Sequence, residues 1–513
     1  MSTRVVQQAR PVIQPFRPED RVPVNRRVFV VIGLLLTAVV LGLSVAFTRS
    51  ALPIAGLAAL GVGSVALFWP RAAGIVFAFV LYLNVPVVAI QFYGVPGPVA
   101  AATLGLLAVP AVTRIIRGEA ILLPACIGAM LAYLAILLAS SALSVNPEAA
   151  TVWTLVYVTE GLILVLLIVN ALRTGSELRS FIWAILLAGA VMGGISVFQE
   201  VTGTYDNAYG GFAQIHETGF TIAEDAIGKE VRPRLTGPIG EQNRYAQVLV
   251  VLLPLAFFQM RAAAGIAGRL IAGASGLLIA AGVLLTYSRM GLLAIVGTVA
   301  LLLLWKYVRW PQVLGLGVLA IALMFVVAPD WSVRLQSFVG IGDVLSNQRS
   351  DTDGAILGRL TANVGAWRTF VDHPVLGVGP DLFRLEYSGE YSLNTGLRDY
   401  SASSQRQAHN LYIHVAADSG ILGLGAFLAV AGGTVLSLLQ LRRRLLGKDQ
   451  VGHLLVTGLA GALLVYLGSG MFLHMAYERY FWLLIGLGGA ALLIYRKAGV
   501  TPPTPAFLRH QRP

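Results

Sequence analysis

Apolar runs of about twenty residues recur along the whole chain, and this excludes most folds. At 1.5 Å of rise per residue, such a run covers a hydrocarbon core ~30 Å thick. Fourteen are read: 28–48, 51–69, 72–92, 97–113, 121–143, 152–171, 180–200, 244–261, 270–287, 290–305, 311–329, 410–440, 452–473 and 480–495. Lipid offers the backbone no hydrogen-bond partner, so a spanning segment must pair its own amides and carbonyls, which a helix does. The expected fold is therefore all-α, a polytopic membrane bundle of about 14 spans. The span at 97–113 is short enough to be re-entrant, and the one at 410–440 is long enough that it must tilt, bend or project. Composition agrees: 57% of residues are hydrophobic and 12% charged, about half the charged share of a soluble protein.

Charge sets the expected orientation. With the N-terminus inside, the inner segments hold 23 of the 37 basic residues, and the short outer turns hold only Arg49, Arg289 and Arg479. That is the positive-inside bias. It accounts for the net charge of +12 without nucleic acid, with some attraction to anionic membrane lipids. The expected organisation is a cytosolic arm over 1–27, N-terminal spans over 28–200, an outer loop over 201–243 and central spans over 244–329. A large outer loop over 330–408, C-terminal spans over 409–497 and a cytosolic tail over 498–513 follow. No cleavable signal is read, since the Arg- and Pro-rich arm precedes a full span. The single cysteine, Cys126, permits no intramolecular disulfide.

The two outer loops are the sizeable ones, and 330–408 is far longer than an ordinary helix connection. Within it, Leu360, Val364 and Trp367 share a helical face, with Ala366 and Phe370 nearby, which predicts an amphipathic helix on or near the membrane surface. Arg359 is expected at the start of that helix, where the dipole disfavours a cation, so a phosphate partner is the better explanation. Arg368 competes on the same helix. Arg289 stands at an outer helix end, where this chain otherwise avoids basic residues; a snorkelling anchor is the plain alternative. Downstream, the turn His373-Pro374-Val375-Leu376-Gly377-Val378-Gly379 offers Gly377 and Gly379 as a backbone nest for an anion.

His409 carries the most specific pattern. His409-Asn410 is followed by nine residues, then Gly420, two residues and Gly423. The eleven-residue spacing places His409 and Gly420 on one face of a continuous helix, with the glycines at a close helix crossing. Asp418 and Glu160 are carboxyls inside spans, each either a structural hydrogen-bonding group or part of a site. Asp351-Thr352-Asp353 is a weak divalent-cation candidate, more often a solvated turn.

Together, the Arg289 turn, Arg359 with Trp367, the His373–Gly379 turn and the His409-Asn410 to Gly420 and Gly423 spacing resemble the O-antigen ligase and O-antigen polymerase superfamily, over roughly 230–480. The resemblance implies a GT-C-like glycosyltransferase in the bacterial inner membrane, with both termini cytoplasmic and its active site on the outer face. It implies a polyprenyl-diphosphate-linked glycan donor, a glycan, lipid or protein acceptor, no metal and no cofactor. It maps the catalytic positions to Arg289, Arg359 and His409. Asn243, Arg244, Arg368, Asn410, Gly377 and Gly379 are the substrate-binding candidates. Fourteen spans rather than about twelve is a departure that leaves the first two without a role.

The chemistry is consistent with that resemblance. No ATP is available outside, so energy must arrive in the donor. Guanidinium groups bind a departing diphosphate in bidentate fashion and keep their charge. His409 either deprotonates the acceptor hydroxyl or binds phosphate as a cation. A ligase, a polymerase and a protein O-oligosaccharyltransferase all remain open. A lipid-linked oligosaccharide transporter is the alternative outside enzymology, but it should show internal repeats and charges deep in both halves; a scaffold would need neither His409 nor the arginines. The orientation is testable. A cysteine at Ser346 should react with an impermeant thiol reagent in intact cells, while one at Gln450 should be spared; the reverse labelling would invert the topology.

Overall fold

A computed structural model describes residues 70–97, 103–224, 229–315, 317, 330–331, 354–395, 405–473 and 479–496. The spans expected at 28–48 and 51–69, most of 311–329, the Asp351–Asp353 pair and both terminal arms lie outside the described residues. What is described is mostly helical. Six helices are long and apolar enough to cross a membrane, or up to seven if a bent pair is one span. The fourteen expected spans thus correspond to fewer full-length helices among the described residues.

The helices run in chain order from α1 (Pro70–Tyr82) and α2 (Val85–Tyr93), which form the pair bent by 56°. The bend follows from Asn84, held in the left-handed region at φ 64, and from Pro86 just after it. Next come α3 (Leu104–Ile116) and α4 (Ile127–Ala142), both short for a span. α5 (Pro147–Ala171) contains a π-helical stretch, Tyr157–Ile163. Asn146 caps it by accepting from the Ala149 amide, and Pro147 takes the first turn, where no amide is needed. α6 (Gly175–Thr202) opens on a capping box between Thr174 and Glu177. After α7 (Gln242–Ala262) and α8 (Ile266–Leu285) comes α9 (Arg289–Leu304). α10 (Gly354–Asp372) precedes α11 (Leu411–Leu445), α12 (Gln450–Ser469) and α13 (Arg479–Arg496).

Small residues let these helices meet. A Cβ on Gly193 of α6 would strike the Leu278 carbonyl of α8, and one on Gly282 would lie 2.9 Å from the Gly193 Cα, so the two backbones cross in near contact. Elsewhere the interior is aromatic. Phe427 stacks on Phe481 at 5.1 Å, and Trp482 meets Tyr157 edge-on at 5.0 Å. Two ion pairs replace isolated charges: Glu160 accepts from Arg479 at 3.3 Å, and Arg114 from α3 meets Glu177 at 2.8 Å.

Three expectations need correction. The fold is not purely helical, because β1 (Gln214–Glu224) and β2 (Lys229–Gly237) pair antiparallel inside the loop expected over 201–243. Each strand is an edge of a two-stranded sheet, which is why Pro233 is tolerated there. Arg359 is the sixth residue of α10, not its first, so the dipole argument for it falls. And α11 is not continuous, for it breaks at Gly420 (φ 64, ψ −169).

The break is completed by the His373–Phe383 segment. The Val378 and Gly379 amides donate to the Ala417 and Asp418 carbonyls at 3.0 and 2.9 Å, and the Ile421 amide donates to the Pro374 carbonyl at 2.8 Å. A Cβ at Gly420 would run into the Val375 carbonyl, and one at Gly377 into the Asp418–Ser419 peptide. Gly420→Ala should therefore cost at least the 1–3 kcal/mol of a left-handed residue, and more from the clash. A drop in detergent-solubilised melting temperature would register it, and an unchanged melt would contradict this account.

Candidate active site

The site is built on the turn between α8 and α9. Thr286, Tyr287 and Ser288 are all fully buried there, and Tyr287 sits at φ 49. The hairpin grips this turn. Arg234 of β2 donates from Nε to the Thr286 carbonyl at 2.9 Å, and Arg232 lies over the Tyr287 ring at 5.7 Å while pairing with Glu200 and Asp330. Trp331 donates its indole N–H to the Leu284 carbonyl at 3.0 Å. Ser288 caps α9 by accepting from Gly291. Its hydroxyl in turn donates to Asn243 Oδ1 at 2.8 Å. Arg289 is thus carried by a turn with almost no freedom.

Asn243 is held from the other side by Glu241, whose Oε1 accepts from both its backbone and its side-chain nitrogen. Glu241 also accepts from the Arg244 amide at 2.7 Å and so caps α7. Arg244 reaches across to Gln407, its Nη2 donating to Oε1 at 2.9 Å. That bond ties α7 to the strand of chain that carries Arg406 and His409. Asn410 caps α11 by accepting from Tyr412 and Ile413, and donates to the Met471 carbonyl at 3.2 Å.

Electrostatics brings the candidates together. Arg359 is held below the ordinary arginine value by burial, raised by Glu241 and lowered further by Arg289. The His409 imidazole is lowered from 6.5 to about 4, first by burial, then by Arg359, Arg406, Arg244 and His414. Arg359 thus lies within electrostatic reach of Glu241 and Arg289, and His409 within reach of Arg359, Arg406 and Arg244. Among these described residues four guanidiniums stand against one carboxylate, a surplus of three positive charges near His409. Half-buried arginines beside the Glu241 carboxylate suit an anionic ligand.

Other candidates fall elsewhere. Arg368 lies nine residues beyond Arg359, hence on the opposite side of α10, where it donates to the Tyr391, Leu393 and Asn394 carbonyls. The Gly377 amide donates to His373, and that of Gly379 to Asp418. The Gly379 amide serves the α11 break and the Gly377 amide closes its own turn, which favours a structural part for both in place of an anion nest. Asn243 and Asn410 hold the backbone that bears Arg289 and His409. Asp418 accepts from the Asp381 and Phe383 amides at 2.8 and 3.2 Å, and lies 3.3 Å from His414 Nε2. Among the described residues, no three His, Cys, Asp or Glu side chains gather as a metal group. Arg406 and Glu241 were not singled out in the sequence; the basic residue three before His409 was the available signal for the first.

An apolar groove of about 260 Å³ begins at Met290, the residue after Arg289. It follows α9 through Leu293, Gly297 and Leu301, faces Leu464 and Val465 of α12, and includes Phe472. The arrangement is that of a multi-pass membrane protein with an apolar groove beginning beside Arg289. Residues 274–428 match the O-Antigen ligase family, so the resemblance read from the residues holds over the segment that contains Arg289, Arg359, His409, Gly420 and Gly423. That family comprises membrane ligases and polymerases of the glycosyltransferase kind. No curated protein matches the chain.

The lowered imidazole makes a prediction with a definite sign. His409 should stay neutral through pH 5 in the ligand-free protein and gain its proton only near pH 4. Inorganic diphosphate in the site should raise that value, because its charge offsets the arginines. Imidazole chemical shifts followed against pH would check both, and a ligand-free titration near 6.5 would contradict the burial described.

Proposed function

We propose that this protein is an O-antigen ligase-type glycosyltransferase. It moves a glycan from a polyprenyl diphosphate to an acceptor hydroxyl at the outer face of the cytoplasmic membrane. The observation that carries this reading is the surplus of arginine charge, half-buried at Arg244, Arg289 and Arg359, beside an apolar groove. A diphosphate joined to an isoprenoid chain has those two demands, and few other ligands do.

The reaction breaks the bond between the anomeric carbon and the diphosphate oxygen, and forms one from that carbon to the acceptor oxygen. The electron pair leaves with the diphosphate, and Arg289 and Arg359 stabilise it in bidentate fashion. The acceptor's proton passes to His409, which burial keeps neutral and therefore able to accept it. Arg244 and Arg406 add charge around the leaving group. Asn243, Ser288 and Asn410 are positioning residues. The same steps serve a lipid-anchored core sugar, the end of a second lipid-linked glycan or a protein hydroxyl as acceptor.

Purified protein given a polyprenyl-diphosphate glycan and an acceptor should transfer the glycan and release polyprenyl diphosphate, and should continue in excess chelator. Arg289→Ala, Arg359→Ala and His409→Ala should each reduce transfer by about 10²-fold or more, the scale of losing an electrostatic or general-base contribution. Arg289→Lys should also be poor, since a point charge lacks the fork, whereas Arg368→Ala should be mild. Near-normal transfer by all three alanine variants would remove this site from the reaction. Movement of intact lipid-linked glycan between leaflets, without bond cleavage, would mark a transporter instead. The acid limb of kcat/KM, which reports the free enzyme, should fall near pH 4 rather than near 6.5.

A further inference from the structure

A second groove lies at the far end of α11, remote from His409. It encloses about 330 Å³ between the last turns of α11 and α13, and Arg444 and Arg496 both line it. Its walls are Leu441, Leu492, Leu493 and Leu123, with Ser437 and Gln440 near the arginines. Both arginines are exposed. Neither makes a hydrogen bond or ion pair with a described residue. Arg442, two residues earlier, contrasts with them, for its guanidinium lies 4.3 Å over the Trp305 ring.

A cation in the last turn of a helix is favoured by the dipole, and that alone explains one arginine on each helix. It does not explain why two like charges from different helices share one concavity. Two guanidiniums lining one concavity give it a positive potential that favours an anion. The leucine walls call for something apolar attached to that anion, since bare apolar surface of this size facing one cavity gains by being covered. Basic pockets between membrane helices at the headgroup level meet both demands with lipid phosphate.

We propose that this groove binds an anionic phospholipid, with its phosphate between Arg444 and Arg496 and acyl chain along Leu441, Leu492 and Leu493. The site does not depend on the glycosyl-transfer reading, and its readout is lipid retention rather than activity. It would seat the end of the bundle opposite the arginine–histidine site in the negatively charged leaflet.

The test uses the full-length protein, purified in nanodiscs of phosphatidylcholine doped with phosphatidylglycerol or its dimeric form. Native mass spectrometry should show the anionic lipid retained over phosphatidylcholine. At roughly 1 kcal/mol per basic residue, Arg444→Gln or Arg496→Gln should each weaken retention about five-fold, and the double variant about 25-fold. Ser437→Trp fills the groove but leaves both charges, so it should also release the lipid. Equal retention of both lipids by the wild type, or an unchanged double variant, would overturn the proposal. So would a groove that binds inorganic phosphate as tightly as lipid and ignores Ser437→Trp; that outcome would make it a plain anion site.

Discussion

The structure depends on how one helix is broken. At Gly420 the backbone of α11 turns out of the helical region, and carbonyls and amides on both sides lose their intrahelical partners. Inside a membrane bundle such groups cost several kcal/mol each if left unpaired. The Pro374–Gly379 backbone supplies those partners strand-like, from the Ala417 carbonyl through to the Leu422 amide, which donates to Val375 at 3.4 Å. Ser140 of α4 adds a hydroxyl to the Leu376 carbonyl at 2.7 Å. Asp418 then holds the following residues through two amides. The segment that follows α10 is thereby fastened to the helix that follows His409, so Arg359 and His409 inherit a common frame.

A second constraint meets this frame from across the site. Glu241, Asn243 and Ser288 form a chain of hydrogen bonds from the start of α7 to the turn before Arg289. The Arg244 bond to Gln407 closes the loop back to His409's own segment. Arg289 is therefore placed by backbone and side-chain bonds that its own charge does not supply, whereas Arg244 contributes its own guanidinium to the frame. That matters because guanidiniums near one another do not gather unaided. Rigid elements hold them together at an electrostatic cost that an anionic ligand offsets.

Much of this was legible in the sequence, and the parts that were not have identifiable causes. The helices at 175–202, 242–262, 266–285 and 450–469 follow directly from apolar runs of spanning length. His409 and Arg289 stood out because each is an imidazole or cation where the surrounding pattern would not place one; the reason for Arg359, a place at the helix start, does not hold, since it is the sixth residue of α10. The hairpin was missed because Arg232, Pro233 and Arg234 hide its alternation, and those arginines turn out to face the Tyr287 turn. Gly420 read as a packing residue on a continuous helix, since spacing alone cannot reveal a positive φ. Glu241 acquires meaning only when it is brought towards Arg359, more than 100 residues along the chain, which no local pattern encodes; Arg406, three residues before His409, was open to a local reading.

The surplus of arginine charge bears on how the proposed reaction would be accelerated. A glycosyl diphosphate ester already carries negative charge when it binds, so attraction in the ground state alone would only tighten binding. The charge that appears during reaction is on the bridging oxygen as its bond to the sugar lengthens. Arginines whose positions are set by the α8–α9 turn and by α10 need not reorganise to meet it. The neutral state of His409 belongs to the same arrangement. Burial first, and then Arg359, Arg406 and Arg244, disfavour the protonated imidazole, so in the proposed reaction the base is empty when the diphosphate departs. As the diphosphate gains charge, its field raises the affinity of that imidazole for a proton, at the moment when the acceptor hydroxyl must release one.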